Sequence, residues 1–334
     1  MAQLVYDSIQ LGLQTVDITP VAATTVFPGK AAFPELDRGY RNPDEDYGIE
    51  DDEFPLRGAM GLRGASTTIT GDVCGPDFMH WLEMHSGTTT PTGGPTYTWV
   101  YTANTTTDTA KRKTIELGSE TASDQWRLTG CLVDELTVGF DALEAPGNMP
   151  WTFDASVVAL DRSITAKTGS LSAPAVRETY EGHLTTLAEG AVATGFSSLS
   201  VLSSSLIMFR YTSRREWVRL AYGSALDTGT AYGLSAKSGI TFEMQVAIST
   251  TAKTDFHDIH NVAGSPMTER RIRLLSTGSG VNTFITDFRA RYRVVGRSER
   301  QGEAVYAIQG SMVKDATLGG RIQHTITNLT SVLP

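Results

Sequence analysis

The two halves of this chain carry the same succession of segments, and that repetition limits its possible folds more than any other feature. An alternating run at Thr67–Val73 precedes Pro76-Asp77-Phe78-Met79-His80-Trp81-Leu82-Glu83-Met84. A second run at Ile240–Ser249 precedes Thr254-Asp255-Phe256-His257-Asp258-Ile259. Each pair leads to a basic cluster, Lys111-Arg112-Lys113 in the first half and Arg270, Arg271 and Arg273 in the second. A Gly/Ser turn follows, then a long strand (Trp126–Phe140; Phe284–Gly296), a polar turn and another long strand (Pro150–Leu160; Ala304–Lys314). The shared order reads as one β-rich unit used twice.

Period-2 alternation supplies the expected cores, because successive strand residues point to opposite faces. In the first half Trp126, Leu128, Leu132, Leu136, Val138 and Phe140 form one stripe, faced by Phe153, Ala155 and Val157. In the second, Phe284, Phe288, Ala290, Tyr292 and Val294 are joined by Tyr306, Ile308 and Met312. Pro76 suits the first turn of a short helix over Asp77–His85, ended by Gly87, with Phe78, Trp81, Leu82 and His85 on one face. Leu11–Ile18 reads as an opening strand, Tyr97–Thr102 as a short aromatic one, and Gly278-Ser279-Gly280 as a hairpin turn. Residues 28–64 hold four prolines and two acidic runs, and read as a long irregular loop. The boundaries that follow are a first domain at 1–165, a linker at 166–198 containing a helix near Arg177–Leu187, and a second domain at 199–334.

Charge is divided unevenly. Residues 1–167 carry 11 Lys/Arg against 24 Asp/Glu, while residues 168–334 carry 17 against 13. Opposite signs on related halves suit self-association, and the overall net charge of −9 argues against binding through phosphate neutralisation. The N-terminal residues lack the basic and apolar regions of a secretory signal, and no stretch is apolar enough to span a bilayer as a helix. Cys74 and Cys131, 57 residues apart, read as buried thiols, with a disulfide as the less favoured alternative.

Catalytic and metal motifs are weak. His257 and His260 with Asp255 and Asp258 lack the HExxH arrangement, and the acidic run lacks the EF-hand spacing. No Gly-x-Ser-x-Gly elbow places a nucleophile. The chain therefore reads as a non-enzyme, without cofactor or metal. Two charged groups remain as candidate contact residues: Asp44, Glu45, Asp46, Glu50, Asp51, Asp52 and Glu53 in the long loop, and Arg289, Arg291 and Arg293, which alternate along one strand.

The segment Arg127–Phe140 with Trp151–Val157, and again Asp287–Gly296 with Tyr306–Val313, resembles the tail tube (major tail) proteins of long-tailed bacteriophages. The resemblance covers most of residues 65–161 and 240–315. It implies a mainly β fold: two tandem tail-tube-like β-sandwich or half-barrel domains, each with a short flanking α-helix. It further implies a structural virion protein, assembled in the host cytoplasm, whose copies form stacked rings around a lumen that conducts genomic DNA without binding it specifically. Its expected partners are itself, a tape measure protein and other tail proteins, with no membrane. A duplicated chain implies a trimeric ring with pseudo-sixfold symmetry, and the acidic loop would be an arm bridging rings. The alternatives are another virion component (decoration, baseplate or fibre protein) and an all-β carbohydrate-binding protein.

Overall fold

The computed structural model describes all residues except 1–4, 7, 16–17, 42–58, 88, 104–108, 119–123, 144–149, 172–178, 203–205, 221–230, 250–251, 253–268, 279, 301 and 334. The first half opens with β1 (Val5–Tyr6), β2 (Ser8–Leu13), β3 (Thr25–Phe27) and β4 (Lys30–Ala32). β5 (Glu35–Arg41) and β6 (Ala59–Asp72) lead to helix α1 (Gly75–Ser86), then β7 (Thr92–Gly93) and β8 (Tyr97–Thr102). β9 (Lys113–Gly118), β10 (Gln125–Asp141), β11 (Thr152–Ala159) and β12 (Asp161–Ile164) complete it.

The second half begins with β13 (Thr185–Ala191), β14 (Ser200–Leu202), β15 (Leu206–Leu220) and β16 (Ala231–Ala247). It ends with β17 (Glu269–Thr277), β18 (Thr283–Arg300), β19 (Glu303–Val313) and β20 (Ile322–Asn328). The protein is mainly β, and its ladders are antiparallel.

Strand pairing repeats between the halves. In the first, β2 pairs β3 and β9, β9 pairs β10, β10 pairs β11 and β12, β11 pairs β6, and β6 pairs β5. In the second, β13 pairs β14 and β17, β17 pairs β18, β18 pairs β19 and β20, β19 pairs β16, and β16 pairs β15. Replacing each strand by its counterpart turns one set of pairings into the other.

Two long strands carry each half because each changes partners partway. β10 lies between β9 and β12 over its first residues, then between β11 and β15. Bulges at Leu128/Cys131 and Val133/Glu135 permit the bend, and Gly130 at φ 65 supplies a left-handed backbone there. These bulges also change which residues face the main core. Leu132, expected on the same stripe as Leu128 and Leu136, instead packs with Leu160, Trp217 and Tyr232 in a separate cluster, while Cys131 and Val133 join the main core.

Helix α1 is enclosed. Every residue from Gly75 to Ser86 except Pro76 is buried, so the helix is a central strut and the expected one-sided packing is corrected. Phe78 meets Phe153 of the first half and Phe284 and His324 of the second. Its C-terminal Gly87 at φ 111 leaves no room for a side chain, since a Cβ would lie 2.0 Å from Thr109 Oγ1. The corresponding helix expected near Asp255–Ile259 falls outside the described residues.

Other expectations shift too. The segment expected as one irregular loop contains β4 and β5 and the beginning of β6, because the outer strands are shorter and less regularly patterned than the central ones. Within the supposed linker, Thr185–Leu187 begins β13 instead of ending a helix, and pairs with β17. Cys74 and Cys131 are free buried thiols. Cys74 Sγ donates to Asp77 Oδ2 at 3.0 Å at the start of α1.

The enclosed histidines predict acid sensitivity. His85 Nε2 lies 2.8 Å from Ser213 Oγ, and His324 Nε2 lies 2.8 Å from the Tyr211 hydroxyl. Burial, assisted by Arg215, lowers the His85 pKa to about 3; burial and His85 lower that of His324 to about 3. In the unfolded chain each imidazole takes up a proton near 6.5, so that state binds more protons between about 6.5 and 3. Stability held above about 6.5 is therefore lost as pH falls through this window, by up to about 1.4 kcal/mol per pH unit for each histidine. Urea titrations at stepped pH should show that decline, with a shallower slope for His324→Gln; equal slopes would remove His324 as a contributor.

Candidate assembly interface

The junction between the halves is a strand ladder. Glu135–Asp141 of β10 pair with Met208–Arg214 of β15, placing Glu135 opposite Arg214 and Leu136 opposite Ser213. A second crossing lies where β8 of the first half pairs with β20 of the second. The continuous sheet thus runs β5–β6–β11–β10–β15–β16–β19–β18. Since β5 and β15 are counterparts, as are β10 and β18, the internal junction joins the last strand of one half to the first strand of the other.

The same two kinds of edge remain at the ends of this run. Among the described residues β5 pairs only with β6, while β18 beyond Arg291 pairs only with β19. Their registers can be compared through the core. Ile69 faces Ala155 across β6 and β11, and Met244 faces Ile308 across β16 and β19; all four are buried. On this alignment Leu36, opposite Ala65, corresponds to Ser213, opposite Ile240. Val294, opposite Ile308, corresponds to Leu136, opposite Ala155. Transferring the internal junction to the open edges puts Val294 opposite Leu36 and Arg293 opposite Asp37. Opposite charge is retained with its direction exchanged, because the internal pair is Glu135 with Arg214.

The exposed face of the sheet is polar. Thr68, Thr152, Asp154, Thr241, Gln309 and Ser311 point away from the core and are exposed. Arg210 and Glu243 are opposite one another on β15 and β16. The other face packs on α1 and the aromatic core.

The candidate arginines divide. Arg289 and Arg291 both pair with Glu269 on β17, whose carboxyl is held below the usual range by those guanidinium hydrogen bonds, Arg291 first. Arg293 is exposed. Alternation along β18 revealed the shared face, but Glu269 was legible only through the β17–β18 register. Asp44, Glu45, Asp46, Glu50, Asp51, Asp52 and Glu53 lie outside the described residues, as do His257 and His260. The basic cluster on β17 is also paired internally: Arg270 with Glu189, Arg271 with Asp315 and Arg273 with Asp287.

The sequence spacing missed the open edge of β5 and the crossing of β8 onto β20. Neither leaves a local signal, because both depend on partners far away in the chain. No helix among the described residues is long and apolar enough to cross a membrane. No known protein-family model matches the chain, and no curated protein matches it in sequence.

Proposed function

We propose that this is a structural virion protein whose copies join head to tail through sheet edges into rings, and that the rings stack into a phage tail tube. In this reading the chain contains two tandem copies of one tube domain, and three chains form a pseudo-sixfold ring. The observation that carries it is the β10–β15 junction, whose two edge types recur on β18 and β5 with no further strand on their outer sides among the described residues. A heterologous contact either closes into a ring or grows without limit, and ring closure pairs edges that would otherwise invite aggregation. The Ser- and Thr-rich sheet face would line the lumen, where neutral hydroxyl groups offer passing DNA little to hold it. The acidic loop would reach towards the neighbouring ring.

Negative-stain electron microscopy of concentrated protein should show hollow filaments with threefold rings of sixfold appearance. Arg293→Glu should raise the concentration needed for rings by about tenfold, equivalent to about 0.9 kcal/mol at each of the three junctions. Adding Asp37→Arg should restore assembly. A compact closed oligomer without filaments would favour another virion component, and assembly indifferent to both changes would exclude this edge register.

A further inference from the structure

β4 lies in line with β5 along the side of β6 opposite β11, so the two form one edge, here the acceptor edge, and β1 occupies its β4 part. Its Val5 and Tyr6 pair with Ala32 and Ala31 of β4, on the side of β4 opposite β6. The counterparts of Ala31 and Ala32 on β15 are Phe209 and Arg210, which pair with Phe140 and Gly139 of β10. Tyr6 thus stands at the position held by Phe140 in the internal junction, and Val5 at that held by Gly139. The likeness extends to burial, since Tyr6 is 1% and Phe140 5% exposed. A two-residue strand reproduces the end of a neighbouring copy's strand.

On the same alignment, an incoming β18 would bring Ser298 and Glu299 to those positions, because Ser298 pairs with Val305 where Gly139 pairs with Thr152. One edge of β4 cannot pair with both strands. We infer that β1 is a built-in guard of the acceptor edge, filling it in the free chain and being displaced by β18 of a second copy as the ring closes. This inference rests on the head-to-tail reading. The guard is held by its short ladder, by the Tyr6 hydroxyl donating to Asp124 Oδ1 at 2.8 Å and by Trp126 Nε1 donating to that hydroxyl at 3.0 Å. The Tyr6 ring is also seated in the main core, so release of β1 requires its exposure, while the ladder itself is only two residue pairs long; covering an edge in this way guards against premature pairing. The part of the edge at β5, which no further strand covers among the described residues, remains available for first contact.

A reversible lock separates this inference from the ring reading. Val5→Cys with Ala32→Cys places two thiols on directly opposed residues, while native Cys74 and Cys131 are buried. Sedimentation and negative-stain imaging should find the oxidised variant as single chains and the reduced variant in rings. Deletion of residues 1–6 should lower the concentration at which rings appear by more than about tenfold, because a larger fraction begins with its edge free. Should that deletion prevent folding, the disulfide pair still decides the matter. Equal ring formation by oxidised and reduced protein overturns the guard while leaving the ring reading intact. No rings from wild type, reduced variant or truncated chain overturns both.

Discussion

Trp81→Ala is expected to destabilise the fold by about 3–5 kcal/mol, as large aromatic truncations do in closed cores. Trp81 is fully buried in the middle of α1. Its ring meets Phe27 edge-on at 5.0 Å and lies 5.7 Å from Phe153. These contacts bring together an outer strand, the helix and the continuous sheet, so no single element can move to fill the space. Total stabilities are typically about 5–15 kcal/mol, and the loss would be a large part of that. Trp81→Phe should cost much less, about 1.5 kcal/mol or below. Among the described residues the indole Nε1 has no hydrogen-bond partner, so the smaller ring removes an unmet donor along with some apolar area. Chemical denaturation of both variants checks the order. A Trp81→Ala protein within about 1 kcal/mol of wild type would show that α1 is not enclosed as described.

Lys113→Met should have a comparable effect for a different reason, with an expected loss of about 3–5 kcal/mol. Lys113 Nζ lies 3.0 Å from Glu83 Oε2, and the two side chains are 2% and 9% exposed. It also donates to His80 Nδ1 at 2.6 Å, which places the imidazole proton on Nε2. Burial lowers the Lys113 pKa, with Glu83 acting against that shift; burial and Lys113 both lower that of His80. Removing the ammonium strands a carboxylate inside the protein. The double variant Lys113→Met with Glu83→Gln should recover most of the loss, because no unmatched charge remains. Denaturation of the single and double variants measures this directly. If the double variant were as unstable as the single one, the cost would lie in packing and not in the orphaned charge.

The legible parts of the fold were those that leave a local pattern. β10, β11, β18 and β19 were expected within a few residues of their ends, since long alternating runs encode a buried face directly. β8 was expected at Tyr97–Thr102, where it lies. Pro76 and Gly87 bracketed α1 because one fits a first turn and the other the backbone after the last. The side assignment of Leu132 failed at a bulge, which adds one residue without changing the apparent alternation. Enclosure of α1 was hidden because its His80 and Glu83 look solvent-facing until Lys113 is brought to them.

The candidate contacts followed the same division. The alternating arginines of β18 were visible in the sequence, yet only strand register separates exposed Arg293 from Arg289 and Arg291 on Glu269. By itself the sequence determined the β class, the repeated order of segments and the positions of the main turns, since side-chain alternation and backbone preference act over a few neighbouring residues. Tertiary structure alone decided which edges stay without a further strand among the described residues, that β1 pairs with β4 and that β8 crosses to β20, because a strand's partner is chosen by distant residues competing for the same hydrogen bonds.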